Sequence, residues 1–244
     1  MPSFHDLKNA VNNYNRETKN LVIMLSDIGG IINPDIEKIS KFCKENNIIL
    51  IEDCAHSFGA TLNNKFSGTF GDAGVYSYYS TKAIFAGEGG VVITNDDDIG
   101  NFVKNFSVYD RFNQKMEIGC NIRLSELQAL MIYSVVQEYK EIIKNKFKIA
   151  KKYSKICDSL NIKYINQNSD LQIGNYYKFT IISPDQNISE FLPKIKTTTS
   201  KVYEYALGNS KEIPKRHLCL PIWFDLDNVI SDKIVKEIKA SKKL

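Results

Sequence analysis

The chain has 244 residues, of which 43% are hydrophobic and 25% are charged, and its formal net charge is +4 at pH 7. This balance is typical of a soluble globular protein, and the length allows one large core or a large and a small domain. Lysines alternate with acidic residues and no apolar run reaches the length of a membrane span, so neither nucleic-acid binding nor a membrane segment is expected. The five scattered cysteines include no CxxC pair, which favours a reducing, cytoplasmic location over disulfides or a zinc site.

The first predicted elements form a strand–helix–strand unit. Residues 21–25 are apolar and predict a short buried strand. A helix is expected to follow, with Asn33 as its N-cap and Pro34 at its first helical position. The continuous apolar run 48–52 is typical of a strand that is covered on both faces. A right-handed crossover of this kind predicts a parallel sheet and an α/β fold.

Further strands are predicted at residues 73–79 and 90–94, followed by a helix that the acidic run 95–98 caps. Ser125 begins a capping-box pattern, Ser-Glu-Leu-Gln, which predicts a long helix that extends to about Leu160. The apolar residues at helical spacing in this segment are predicted to face the core: Leu127, Leu130, Met131, Val135 and Tyr139.

The C-terminal part differs in composition, because the sequence becomes more basic and more polar near residue 145. A strand is predicted at residues 176–182 and a closing helix after Asp227. The predicted division is therefore a large domain, residues 1–144, and a small C-terminal domain, residues 145–244.

Lys82 is the first candidate for chemistry. It follows the aromatic segment 76–79 and precedes the glycine-rich turn 87–90. A lysine beside apolar surface loses hydration, and desolvation disfavours the charged form of its amine. Such an amine is nucleophilic near neutral pH and can form a Schiff base with a carbonyl compound.

Other candidates are ambiguous when each is taken alone. Asp53 ends a predicted strand, where ligands of parallel sheets gather, and a carboxylate there suits a protonated ring nitrogen; a turn or cap role is the commoner one. His56 suits packing as well as ligand binding. Ser77 suits phosphate binding, although hydroxyls are common in strands. The 87–90 glycines favour a tight turn over a phosphate nest.

Taken together, these segments resemble the DegT/DnrJ/EryC1/StrS family of sugar aminotransferases, which are pyridoxal-phosphate (PLP) enzymes of fold type I. Order and spacing agree across roughly residues 18–155. The resemblance implies a partial cofactor-binding large domain with a mainly parallel sheet, and a small C-terminal α+β domain. The matching segments are 51–60 (IEDCAHSFGA), 71–74 (GDAG), 76–82 (YSYYSTK), 87–94 (GEGGVVIT), 119–129 (GCNIRLSELQA) and, more weakly, 216–221 (RHLCLP).

The resemblance assigns a role to five residues. Lys82 resembles the lysine that binds PLP as a Schiff base and moves a proton between cofactor and substrate. Asp53 resembles the acid that pairs with the pyridinium nitrogen, and His56 lies where the family has Gln or His near the ring. Ser77 resembles a phosphate-binding serine. Asn121 resembles an asparagine that reaches the phosphate of the neighbouring subunit, which implies a homodimer.

The implied reaction transfers an amino group from glutamate or glutamine to a keto group of a nucleotide-linked sugar. Lysine at position 82, where some sugar-dehydrating relatives have histidine, favours transamination. Family members carry an earlier segment with a Gly-Thr phosphate loop and an aromatic residue that stacks on the ring, and nothing before Leu21 matches it. Three alternatives follow: a split enzyme with an N-terminal partner fragment, a truncated product, or a non-catalytic binding or structural subunit.

Overall fold

The computed structural model describes residues 1–14, 21–109, 119–183, 185–197, 199–202 and 211–242. The chain forms two compact units. Unit 1 contains Met1–Tyr139 and Asp170–Gly174, and unit 2 contains Lys140–Ser169 and Asn175–Leu244. The predicted domains, 1–144 and 145–244, stay a prediction, because compact packing does not test where independently folding parts end.

Unit 1 is built on a four-stranded sheet with the strand order β1-β2-β5-β6. The first two pairings, β1 with β2 and β2 with β5, are parallel, and β5 with β6 is antiparallel. The predicted α/β class and mainly parallel sheet are therefore confirmed. The strands are β1 (Val22–Ser26), β2 (Ile49–Asp53), β5 (Ala73–Ser77) and β6 (Gly90–Thr94).

The remaining elements of unit 1 are helices and a small antiparallel sheet of the order β4-β3-β7. Helix α4 ends at Gln137, and the following α5 begins at Tyr139. No helix in the described part of the chain is both long and apolar enough to cross a membrane. The elements are α1 (Phe4–Asn13), α2 (Ile36–Glu45), β3 (Thr61–Leu62), β4 (Lys65–Phe66), α3 (Asp97–Ser107), α4 (Glu126–Gln137) and β7 (Gln172–Ile173), whereas α5 (Tyr139–Ser159) belongs to unit 2 from Lys140 onward.

Helix α2 covers one face of the sheet with apolar side chains spaced at helical intervals. Ile36 and Ile39 are fully buried, and they belong to the same core cluster as Leu25 of β1 and Leu50 of β2. The helix begins two residues later than predicted. The residue at the N-cap is Asp35, and Asn33 lies in the preceding turn, where its Oδ1 accepts a hydrogen bond from the Asp35 N–H at 2.9 Å.

The opposite face of the sheet, called the open face below, exposes alternate residues of every strand. Because side chains of a strand alternate between faces, Val22, Met24, Ile49, Val75 and Val92 lie on this one face, as the strand register also requires. All five are exposed, and Met24 is 68% exposed. The prediction that β2 is covered on both faces is therefore wrong for Ile49 in the described structure.

Helix α4 corrects two predictions. The predicted continuous helix from Ser125 to about Leu160 is interrupted at Glu138, so α4 and α5 are separate helices. Leu127, Leu130 and Met131 do not face the core, since they are 71%, 62% and 47% exposed. Apolar residues occur around most of this helix, so the sequence pattern does not indicate which of them pack against the core. The predicted capping box at Ser125 is confirmed.

Unit 2 packs α5 against a two-stranded antiparallel sheet and a C-terminal helix. Its buried cluster includes Tyr153, Phe179 and Ile234, and the Tyr153 and Phe179 rings meet edge to face with centroids 5.3 Å apart. The predicted strand and closing helix are both present. The further elements are β8 (Phe179–Ile182), α6 (Ile188–Phe191), β9 (His217–Leu220) and α7 (Asn228–Lys242).

Candidate functional site

The carboxyl ends of three neighbouring strands bring polar side chains to one edge of the sheet. Ser26 of β1 is the register partner of Asp53 in β2, and Asp53 is the partner of Val75 in β5. Ser77 follows Val75 by two residues, so Ser26, Asp53 and Ser77 all lie on the open face. This edge is where parallel α/β sheets bind ligands.

The Asp53 carboxylate is oriented by two hydrogen bonds. The Ser26 hydroxyl donates to Oδ2 at 3.0 Å, and the Ala55 N–H donates to Oδ1 at 3.1 Å. The side chain is half-buried. Each carboxylate oxygen accepts more than one hydrogen bond, so Asp53 retains the capacity to accept a further N–H donor.

His56 lies on the loop after β2 and is oriented by the turn after β1. The Gly29 N–H approaches its Nδ1 at 3.4 Å. Gly29 has φ of 77°, a conformation that glycine adopts without strain and that this turn requires. When Nδ1 accepts a hydrogen bond, a neutral imidazole carries its proton on Nε2 and donates from that side.

Lys82 follows β5 in a loop that its own backbone hydrogen bonds close. The Tyr78 N–H donates to the Gly89 carbonyl at 2.8 Å, and the Ala86 N–H donates to the Tyr78 carbonyl at 2.9 Å. The Lys82 N–H donates to the Tyr79 carbonyl at 2.9 Å. The Lys82 side chain is half-buried and is followed by two buried residues. The loop therefore holds the backbone of Lys82 in a defined position beyond the end of β5.

Ser77 and Asn121 differ in their surroundings. The half-buried Ser77 hydroxyl oxygen lies 3.4 Å from the Tyr79 backbone nitrogen at the start of the Lys82 loop. Asn121 lies on a separate segment, where it forms a bridge with Val108 and accepts a hydrogen bond from Arg123 Nε at 3.0 Å. Its side chain is exposed, and its predicted role toward a neighbouring subunit stays a prediction.

Sequence reasoning missed the buried acids on the other face of the same edge. Glu52 is 1% exposed, and its carboxylate accepts hydrogen bonds from the N–H groups of Gly68, Phe70 and Gly71 at 2.8, 2.6 and 2.6 Å. Burial raises the pKa of the Glu52 carboxyl, and the three donors oppose that increase. A charged residue inside an apolar run was the available signal.

Residues 1–239 match the sequence profile of the DegT/DnrJ/EryC1/StrS aminotransferase family. The chain belongs to this family. The GDP-perosamine synthase of Escherichia coli O157:H7 is 34% identical over 131 residues, which cover 52% of this chain and 36% of that protein. The chain thus spans little more than a third of that relative's length.

Solved structures show the same fold. A DegT DnrJ EryC1 StrS aminotransferase from Brucella abortus superposes with a TM-score of 0.83 at 19% identity, covering 97% of this chain and 68% of that one. The PLP form of Spr1654 from Streptococcus pneumoniae, described as a sugar aminotransferase, superposes with a TM-score of 0.75 at 16% identity. It covers 92% of this chain and 69% of that one. The predicted family and fold type are confirmed.

Proposed function

We propose that the chain provides the lysine-bearing part of a PLP-dependent aminotransferase that acts on a keto group of a nucleotide-linked sugar, with glutamate or glutamine as the amino donor. The observation that carries the proposal is the position of Asp53, Ser77 and Lys82 at the carboxyl ends of β2 and β5. The family match and the relative named GDP-perosamine synthase support the sugar substrate.

The residues of this edge fit the chemical groups of PLP. The cofactor has a protonated ring nitrogen, a phosphate and an aldehyde; the edge offers a carboxylate and a hydroxyl, and the loop after β5 carries the primary amine of Lys82. When bound, PLP supplies an electron sink for the substrate carbon. Asp53, oriented by Ser26 and the Ala55 N–H, is positioned to accept the ring N–H hydrogen bond and to keep the ring protonated.

The other side chains have roles that follow from their chemistry. Lys82 would hold the cofactor through its amine and would serve as the base and acid for the proton of the substrate carbon. His56 would donate from Nε2 to the cofactor, because the Gly29 N–H approaches Nδ1. Ser77 would hold the phosphate through its hydroxyl group.

Two apolar surfaces of unit 1 support an assembly as the working form. One is the open face, and the other is the exposed side of α4 with Leu127, Leu130 and Tyr133. Apolar patches of this kind mark interaction sites. We propose a homodimer, or a complex with an N-terminal partner fragment. A non-catalytic binding or structural subunit is the second candidate, and the same two surfaces favour it.

A cytoplasmic location fits this function. All five cysteines are free thiols, and four of them are buried. Thiols persist in a reducing compartment, where disulfides are rare.

Cofactor titration tests the catalytic proposal. PLP added to the purified chain, alone and together with a family member's N-terminal fragment, is expected to give the absorption band of lysine-bound PLP. Lys82→Ala should abolish the band, whereas Lys104→Ala, a change of an exposed lysine on α3, should leave it unchanged. Circular dichroism establishes that both variants are folded.

A wild-type chain that gives no band in either preparation contradicts the catalytic role. In that case, capture of a partner by the folded chain supports the binding subunit. Recovery of transamination on mixing with the fragment instead establishes the split enzyme.

A further inference from the structure

Asp27 is a buried acid directly behind the candidate cofactor site. It follows β1 and is only 2% exposed. The Asn33 N–H donates to its Oδ1 at 3.2 Å, and the Ser57 Oγ lies 3.1 Å from its Oδ2. The Cys54 thiol lies 3.9 Å from the same oxygen.

The hydrogen bonds around Asp27 depend on which oxygen atom of each contact carries the proton. Ser57 Oγ lies within hydrogen-bond distance of both Asp27 Oδ2 and Ser67 Oγ, the latter at 3.0 Å, yet it has one proton to donate. The Ser67 hydroxyl donates to the Ser57 carbonyl at 2.9 Å. If Asp27 is ionised, Ser57 donates to it, and the contact between the two serine oxygens has a proton only where Ser67 turns from the Ser57 carbonyl toward Ser57 Oγ.

A neutral Asp27 satisfies every one of these contacts. Its own O–H donates to Ser57 Oγ, Ser57 donates to Ser67 Oγ, and Ser67 donates to the Ser57 carbonyl. Oδ1 remains the acceptor for the Asn33 N–H. The protonated form thus supplies a proton to each of these contacts at once, with no hydroxyl shared between two acceptors.

The charged and titratable groups around Asp27 act in the same direction. Its carboxylate oxygen, that of Glu52 in β2 and the Cys54 sulfur all lie within 4.8 Å of one another. Three backbone N–H groups stabilise a charge on Glu52, so the neutral member of the pair is Asp27. Burial first, and then the Glu52 charge, raise the pKa of Asp27 to about 7. Burial also raises the pKa of the Cys54 thiol and of the Tyr76 hydroxyl, which bonds to the Ser67 carbonyl, so both stay neutral.

The Asp27 network joins the segments that carry the site residues. The Asp27 N–H donates to the Asp53 carbonyl at 3.0 Å, and its neighbour Ser26 donates to the Asp53 carboxylate. Ser57 follows His56 directly, and Gly29, two residues after Asp27, contacts the His56 ring. Asp27 is therefore linked by hydrogen bonds and by neighbouring residues to the segments that carry Asp53 and His56.

We propose that Asp27 is a positioning residue that acts as a neutral carboxylic acid and fixes the loops that hold Asp53 and His56. The second part of this proposal rests on the proposed cofactor site, whereas the first part does not. Ionisation of Asp27 would add a second negative charge beside Glu52 and turn the Ser57 hydroxyl away from Ser67.

The first test measures unfolding against pH without cofactor. Asp27→Asn mimics the neutral acid, since its amide accepts from Asn33 and donates to Ser57. An acid whose pKa rises from 3.8 to about 7 on folding stabilises the chain at low pH, and this contribution is lost as pH rises toward 7. Between about pH 4.5 and 6.5, the unfolding constant of the wild type should increase relative to Asp27→Asn by up to about tenfold per pH unit.

The matched control is Asp170→Asn, which neutralises an exposed acid of unit 1 and should follow the wild-type curve. Parallel curves for the wild type and Asp27→Asn would overturn the neutral-acid assignment. This outcome is independent of whether the chain binds PLP.

The second test measures PLP affinity against pH. The ratio of the wild-type PLP affinity to that of Asp27→Asn should be constant at low pH and should fall above about pH 7. Asp27→Ala, which removes the network, should bind about tenfold more weakly, the effect of one lost hydrogen bond.

Equal PLP affinities and pH profiles for all three proteins would overturn the positioning role. If Asp27→Ala does not fold, the comparison of Asp27→Asn with the wild type decides. Absence of PLP binding by the wild type contradicts the proposed function and the positioning role, and it leaves the unfolding result intact.

Discussion

Lys146 offers a direct measurement of what a buried charge costs in unit 2. It lies on α5 and is only 3% exposed. Burial, and secondly the positive charge of Lys178, lower the pKa of its amine from 10.5 to about 7. Replacement by methionine keeps an unbranched side chain of similar size and removes the titrating group.

The size of the effect follows from the two pKa values. Each pH unit between the unfolded value of 10.5 and about 7 corresponds to about 1.4 kcal/mol, so the ceiling is about 5 kcal/mol. A lysine whose pKa falls on folding destabilises the folded state wherever the unfolded chain binds its proton. Wild-type stability should therefore rise with pH from about 7 to 10.5, and the penalty is complete below 7.

Denaturant unfolding of the wild type and Lys146→Met at a series of pH values is the assay. At pH 7 we expect Lys146→Met to be more stable by about 3–5 kcal/mol, and the two curves should converge above about pH 10. Lys148→Met, at an exposed position two residues along the same helix, controls for the loss of a surface lysine. A constant difference between the wild type and Lys146→Met at all pH values would refute the reasoning.

Two further changes test the packing of each unit. A Cβ at Gly74 would lie 2.6 Å from both the Cα and the carbonyl oxygen of Gly68, so Gly74→Ala must move the backbone. We expect this variant to lose about 1–3 kcal/mol of the free energy of unfolding in denaturant. An unchanged denaturation midpoint would contradict this prediction. The Tyr153 hydroxyl donates to the Pro221 carbonyl at 3.0 Å, so Tyr153→Phe should lower the free energy of unfolding by about 1–3 kcal/mol; an equal or higher value would show that water satisfies the carbonyl.

The sequence predicted the sheet well because its strands are short apolar runs. The β1, β2, β5 and β6 positions agree with the predicted strands to within a few residues. The prediction that the apolar residues of α4 face the core was wrong, because helical spacing indicates an apolar helix surface but not what buries it. In the described structure Leu127 and Leu130 are exposed, so the core is not what covers them.

The site residues were predictable where they lie at the ends of strands that the local sequence indicates. Asp53 ends a predicted strand and Ser77 lies near the end of the predicted strand 73–79, and parallel pairing brings these strand ends together. The burial of Asp27 and Lys146 was not predictable, and the partners of the buried Glu52 were not, because both depend on residues distant in sequence. Glu52, for example, is held by N–H groups that come 16 to 19 positions later.

The open face has a consequence for any chemistry at this edge. Asp53 and Ser77 project from the same side of the sheet as Met24 and Val75, so one covering surface shields both the apolar stripe and the polar edge. Electrostatic interactions strengthen when water is excluded. In the proposed assembly, the partner surface would therefore also lower the local dielectric constant around Asp53, and the polar edge of an uncovered chain would stay in contact with water.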